Sequence, residues 1–184
     1  MNKAILSVLG KDQPGIIAAV SGVLFAQSCN IENVSQTILQ SEFAGIFIVS
    51  LPQELSLETL KQGLIARLRP LDLNLHIKPM RDPSPGFTFA ESEPFIITTK
   101  GPDRKGLVAG ITDIIARHGV NITNMQAVFK GGDEPGDNIM IYEVDVPVDL
   151  DQKSLENDLR QRAQELMLDI SIQHRNIFEA INRI

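Results

Sequence analysis

Apolar residues recur along this 184-residue chain in two spacings, and the whole pattern occurs twice. Residues 3–9 (KAILSVL) form a short apolar run that predicts a strand. Pro14 follows, suited to a first helical position, and Ile16, Ile17, Val20, Val23 and Leu24 come after it at helical spacing. Residues 31–40 and 44–51 predict two further strands, the latter (AGIFIVSL) nearly all apolar. Leu57, Leu60, Leu64, Ile65 and Leu68 predict a helix that stops before Pro70. Leu73, Leu75 and Ile77 then alternate as a last strand. The same order returns as a strand at 95–100, a helix at 105–118, strands at 122–130 and 138–146, a helix at 151–166 and a strand at 168–173. This β-α-β-β-α-β order is the ferredoxin-like, split βαβ arrangement. With right-handed crossovers it makes a four-stranded antiparallel sheet with both helices on one face, so the expected class is α+β, in two modules.

The repetition extends to residue identity. At an offset of 91, Ala4–Asn33 lies over Phe95–Asn124 with eight identities, among them Gly10/Gly101, Asp12/Asp103, Gly15/Gly106, Asn30/Asn121 and Asn33/Asn124. The shared pattern is G-x-D-x-x-G followed by N-I-x-N. Beyond it the offset becomes 95, which aligns Pro52 with Pro147 and Ile77 with Ile172. The four extra residues fall in KGGDEPGDN (130–138), a turn-rich stretch where an insertion costs little. The expected division is a first module at 1–79, a linker at 80–93 rich in Gly and Pro, a second module at 94–174 and a helical tail at 175–184. Phe87 and Phe89 could dock the linker on a module or leave it free.

One strand breaks the expected alternation. A half-exposed strand should read apolar and polar by turns, yet Ile46-Phe47-Ile48-Val49 does not. The open face of the first sheet is therefore expected to be covered, by the other module, the tail or another subunit.

Composition narrows the class. Apolar residues at 43% and charged residues at 22% are the usage of a soluble globular protein. Cys29 is the single cysteine, which excludes an internal disulfide and a four-cysteine zinc site. The N-terminus does not read as a signal peptide, and no apolar run reaches the ~18 residues of a membrane span. A cytoplasmic location is expected. Residues 1–90 hold seven Lys/Arg and seven Asp/Glu, whereas residues 91–184 hold ten and sixteen, so the second half carries the entire net charge of −6. An acidic chain without a basic stripe is poorly suited to direct nucleic-acid binding.

The chemistry-bearing candidates are few. The segments Gly10–Gly15 and Gly101–Gly106 lead into a helix, where free N–H groups, of Ile16 and Ile17 or Leu107 and Val108, favour a carboxylate or phosphate. Glycine there allows close backbone approach. The alternative is a plain tight turn in which Asp12 and Asp103 cap backbone amides. Asn30 and Asn121 offer donors and an acceptor together, as an amino acid requires, or serve as turn residues after the helix. Asn33 and Asn124, at strand starts, are more open to function. His76, His118 and His174 are not at metal-ligand spacing to one another or to Cys29. Cys29 reads as a small core residue, and the acidic loop Asp133–Asp137 lacks calcium-loop spacing. No nucleophile elbow, zinc-protease or phosphate-loop motif occurs. Neither catalytic residues, a metal nor a cofactor is expected.

GKDQPGIIAAVSGVL followed by NIENVSQTIL resembles the ACT domain, and the first copy is similar to stand-alone ACT proteins and the glycine cleavage system transcriptional repressor group. The likeness covers roughly 3–79 and 94–174, and the ending Ile172–Ile181 resembles the tail of that group. The resemblance implies a non-catalytic regulatory protein binding an amino acid or similar ligand at ACT–ACT interfaces. By position it points to Asp12, Pro14, Gly15, Ile16 and Asn30, and to Asp103, Gly106, Leu107 and Asn121. It further implies a homo-oligomer and a protein partner, a transcription regulator, in amino-acid (glycine cleavage) metabolism. A ligand-free interaction module of a larger assembly is the alternative. Gln13 stands where the family usually has arginine, Lys105 where it has proline, and Pro102 comes early. By these departures the second copy is the one expected to have lost binding.

Overall fold

A computed structural model describes residues 2–80, 91–129 and 138–176. The linker residues Phe87 and Phe89, the extra hairpin residues with the acidic loop at 133–137, and the tail beyond 176 lie outside them. The chain divides into two compact units, one N-terminal and one C-terminal. The first contains β1 (Asn2–Lys11), α1 (Ile16–Ala26), β2 (Asn30–Leu39), β3 (Glu42–Leu51), α2 (Leu57–Leu68) and β4 (Asn74–Pro79). The second contains β5 (Ser92–Gly101), α3 (Leu107–Arg117), β6 (Asn121–Phe129), β7 (Asn138–Pro147), α4 (Gln152–Glu165) and β8 (Asp169–His174). Strand orders are β2-β3-β1-β4 and β6-β7-β5-β8, all antiparallel. Each unit is therefore the α+β ferredoxin-like fold that the periodicity predicts. The pairing of Gly10 with Phe43 and of Gly101 with Asn138 places the change of offset in the β6–β7 hairpin.

The start of the first helix differs from expectation. Pro14 is not the first helical residue: α1 begins at Ile16, and Gly15 is its N-cap, at φ 97°. The ring of Pro14 sits in the preceding turn. At the other end α1 and α3 close in the same way. Cys29 N donates to Leu24 O at 2.9 Å past a left-handed Ser28, and Val120 N donates to Ile115 O at 3.1 Å past a left-handed Gly119. These bonds satisfy carbonyls that a helix end leaves free.

The first core lies between the sheet and its helices. Leu6, Val8, Val20, Leu24, Phe47, Leu60 and Leu64 are fully buried in it. In β3 Phe47 and Val49 face the helices, while Ile46 is exposed and Ile48 half-buried on the opposite face. The surplus apolar residues of that strand thus belong to the open face, together with Leu9 of β1. At the sheet edge β2 is exposed from Glu32 to Leu39. A β-bulge interrupts its pairing between Ile31 and Asn33, and β6 has the same bulge between Ile122 and Asn124. The N-I-x-N pattern thus encodes the bulge. Its extra residue is anchored locally, Glu32 by an ion pair to Lys3 at 2.6 Å and Thr123 by donating to Glu143 O at 3.2 Å.

The second core repeats the arrangement but buries a tyrosine. Tyr142 is fully buried and donates its hydroxyl to Met140 Sδ at 3.3 Å. Burial pushes its pKa up to about 12, and Thr99 pulls the other way, although the Thr99 hydroxyl itself meets no partner at hydrogen-bond geometry. A folded-state pKa above the ordinary value of about 10 gives a stabilisation that is complete below pH 10. It is lost as pH rises through 12, and amounts to something on the order of 2 kcal/mol. Tyr142 is the only tyrosine and tryptophan is absent, so tyrosinate absorbance reports this group alone. We expect the phenolate to appear together with unfolding of the unit, and Tyr142→Phe to flatten the alkaline loss of stability. Titration near pH 10 with the fold intact would contradict this.

Candidate functional site

The starts of α1 to α4 divide by order within each unit. The second helices carry side-chain caps: Ser56 Oγ accepts from Thr59 N at 3.0 Å, and Asp151 Oδ1 accepts from Lys153 N at 3.1 Å and Ser154 N at 3.2 Å. The first helices carry none. Gly15 and Gly106 are the N-caps of α1 and α3, both left-handed, at φ 97° and 90°. Neither helix has an acidic residue in its first turn. The capping role considered for Asp12 and Asp103 is therefore not realised. The leading amides of α1 and α3 are left for solvent or a ligand, with the positive end of the helix dipole behind them.

The glycines of the loop have different reasons. A Cβ on Gly10 would lie 2.8 Å from Leu73 Cδ2 and 3.0 Å from Asp72 O; on Gly101 it would lie 2.7 Å from Leu168 Cδ2 and 2.9 Å from Met167 O. In both units this glycine receives the chain as it leaves the second helix. A Cβ on Gly15 or Gly106 would meet nothing within 4 Å. There the positive φ is the requirement, and the space beside the backbone is open.

The predicted residues fall into two groups. Asp12, Pro14 and Gly15 are exposed together in the first loop, as are Asp103 and Gly106 in the second. Ile16 and Leu107 are each 2% exposed, so their side chains belong to the cores and only their backbones face the loop. Asn30 and Asn121 are not part of these clusters. Asn30 pairs with Ser50, which pairs with Lys3, whereas the loop follows Lys11 at the other end of β1. Eight residues of strand, about 26 Å, separate them within the unit. Asn121 is likewise at the far end of the second sheet, paired with Asp145, which pairs with Pro94. Asn33 is exposed at the edge of its sheet, while Asn124 Nδ2 donates to Glu143 Oε1 at 2.8 Å.

The two loops are not equivalent. In the first, Asp12 N donates to Ser41 O and Gln13 Nε2 to Leu71 O, both at 2.8 Å, which ties the loop to its own unit. In the second, Asp103, Arg104, Gly106, Leu107, Asn138 and Met140 line an open cleft of about 420 Å³. Asn138, 4% exposed, donates from Nδ2 to Asp103 Oδ1 at 3.4 Å, and its Oδ1 has no hydrogen-bond partner among the described residues. Sequence reading missed Asn138 because it lies past the change of offset and matches Phe43 of the first copy. A buried asparagine set against a phenylalanine was the signal available.

Other candidates resolve structurally. Burial raises the Cys29 thiol above its ordinary range, which disfavours a reactive thiolate. His118 Nε2 lies 2.8 Å from Asp158 Oδ2, and His174 stacks edge-on against Phe95 at 5.2 Å. Among the described residues no group of three His, Cys, Asp or Glu could hold a metal ion, and no helix is long and apolar enough to cross a membrane.

A repeated ferredoxin-like unit with a glycine-opened loop before an uncapped first helix defines a class of regulatory module. The ACT domain family model matches residues 2–78 and 93–173, and the chain belongs to the ACT domain family of regulatory proteins. A UPF0237 protein of Methanopyrus kandleri is 40% identical over 65 residues, 35% of this chain and 72% of that protein. One from Streptococcus pneumoniae is 34% identical over 76 residues, 41% of this chain and 86% of its own. Among solved structures, a Galdieria sulphuraria protein of unknown role superposes with a TM-score of 0.78 at 21% identity, covering 94% of this chain and 98% of that one. A protein assigned as a glycine cleavage system transcriptional repressor gives a TM-score of 0.70 at 15% identity, covering 94% and 96%. At these identities the two structures speak for the fold.

Proposed function

We propose that this chain is a non-catalytic sensor that binds a free amino acid or similar small ligand at a loop–helix junction and signals its occupancy to a protein partner. The observation that carries this reading is the capping pattern: in each unit the second helix is capped by its own side chain and the first is left open behind a positive-φ glycine. A carboxylate supplies what those amides lack. Family membership supports the regulatory role, and likeness to the glycine cleavage repressor fold directs it toward transcriptional control of amino-acid metabolism. The acidic balance of the chain fits a protein partner better than DNA.

The test is thermal unfolding of the full chain with each of the twenty amino acids. A ligand at 100 times its dissociation constant adds about 2.7 kcal/mol, a readable rise in midpoint. No rise with any of them would sink the reading. Phe25 at 86% exposure, with Val34, Ile38 and Leu39 of the edge strand also exposed, favours a second reading, a ligand-free interaction module. Under that reading the midpoint is indifferent to all twenty.

A further inference from the structure

We propose that the ligand is held by the second unit, and that Asn138 selects a protonated amine there; this rests on the amino-acid-binding reading above. A carbonyl oxygen buried without a donor is costly to a fold. Asn138 Oδ1 is such an atom, in a side chain 4% exposed that lines the cleft at the start of α3. The amide cannot profitably turn over, because its Nδ2 already faces Asp103 Oδ1 at 3.4 Å. What Oδ1 lacks is a donor from the cleft, and the Asp103 carboxylate beside it makes a cationic donor the best fit.

The same cleft offers the opposite complement. Arg104 lines it and makes no ion pair among the described residues. The leading amides of α3 have no side-chain cap. Both call for a carboxylate. A small molecule with an ammonium and a carboxylate on neighbouring atoms, a free α-amino acid, satisfies the two sets together.

The first unit has the open amides at α1 but neither side chain of this complement. Phe43, 2% exposed, occupies the position of Asn138, and Gln13, its amide engaged by Leu71 O, occupies that of Arg104. On the same face of the central strands Thr99 and Tyr142 replace Val8 and Phe47. Polar groups have thus accumulated beneath the second loop alone. The departures at Pro102 and Lys105 leave this cleft intact.

The experiment measures the thermal midpoint of the full chain with each of the twenty amino acids and with the des-amino acid of any that stabilises it, such as propionate for alanine. We expect the amino acid to raise the midpoint and the des-amino acid to leave it unmoved. Asn138→Leu should weaken the response at least tenfold while the ligand-free midpoint holds or rises, since leucine removes the orphaned acceptor. Arg104→Gln, on an exposed side chain, should weaken it comparably without touching the core. Phe43→Leu should leave it unchanged. A wild-type response that survives both Asn138→Leu and Arg104→Gln, or equal stabilisation by the des-amino acid, overturns this assignment alone. No response of the wild-type chain to any amino acid overturns the binding reading and this assignment with it.

Discussion

Phe47→Ala should destabilise the first unit by about 3–5 kcal/mol, enough to leave it largely unfolded at physiological temperature. Phe47 is fully buried at the centre of β3, facing both helices, among the largest side chains of its core. Its removal loses the transfer free energy of the ring and leaves a cavity bounded by side chains on two strands, which can relax only by moving the sheet. A unit of about 80 residues has little reserve against such a loss. Two unfolding transitions should then be resolved by denaturant, the first shifted to low concentration and the second at its wild-type position. A single transition shifted as a whole would show that the two units unfold together.

Gly10→Ala should cost about 3 kcal/mol and Gly15→Ala only about 1–2 kcal/mol, although both glycines belong to one motif. At position 10 the methyl group must enter space held by Leu73 Cδ2 and the Asp72 carbonyl oxygen. The carbonyl belongs to the turn that closes α2, where Leu73 N donates to Leu68 O at 3.3 Å, so it cannot withdraw without breaking that closure. At position 15 the methyl group meets open space, and only the left-handed backbone is penalised. Urea denaturation of the two variants measures the difference directly. Equal costs would mean that the turn after α2 yields, and that Gly10 is held for some reason other than packing.

The distinction between these glycines marks how far the sequence could be read. Element order was legible because apolar spacing and the duplicated G-x-D-x-x-G register every strand and helix twice. The start of α1 was not, because Pro14 suits a first helical position as well as the turn where it lies. Cap residues were visible in Ser56 and Asp151, and their absence before Ile16 and Leu107 could have been read as openly. Asn30 and Asn121 looked like neighbours of the loop only by family position, since their distance from it depends on β1 and β5 running the full length of each sheet. Asn138 required a pairing across a hairpin of different length in the two copies.

The bulge in β2 shifts the phase of the strand. Ile31 pairs with Val49 on the helix side, and Asn33, two residues on, pairs with Ile48 on the other, where strict alternation would put both on one face. The strand therefore has an apolar anchor in one phase and an edge written in the other, with a single residue as the hinge between them. Pairing Glu32 in the ladder, with no bulge, would return the strand to one phase and turn Asn33, Ser35 and Thr37 toward the helices. Both copies keep the extra residue, glutamate in one and threonine in the other, so the change of phase recurs although the side chain at the hinge does not.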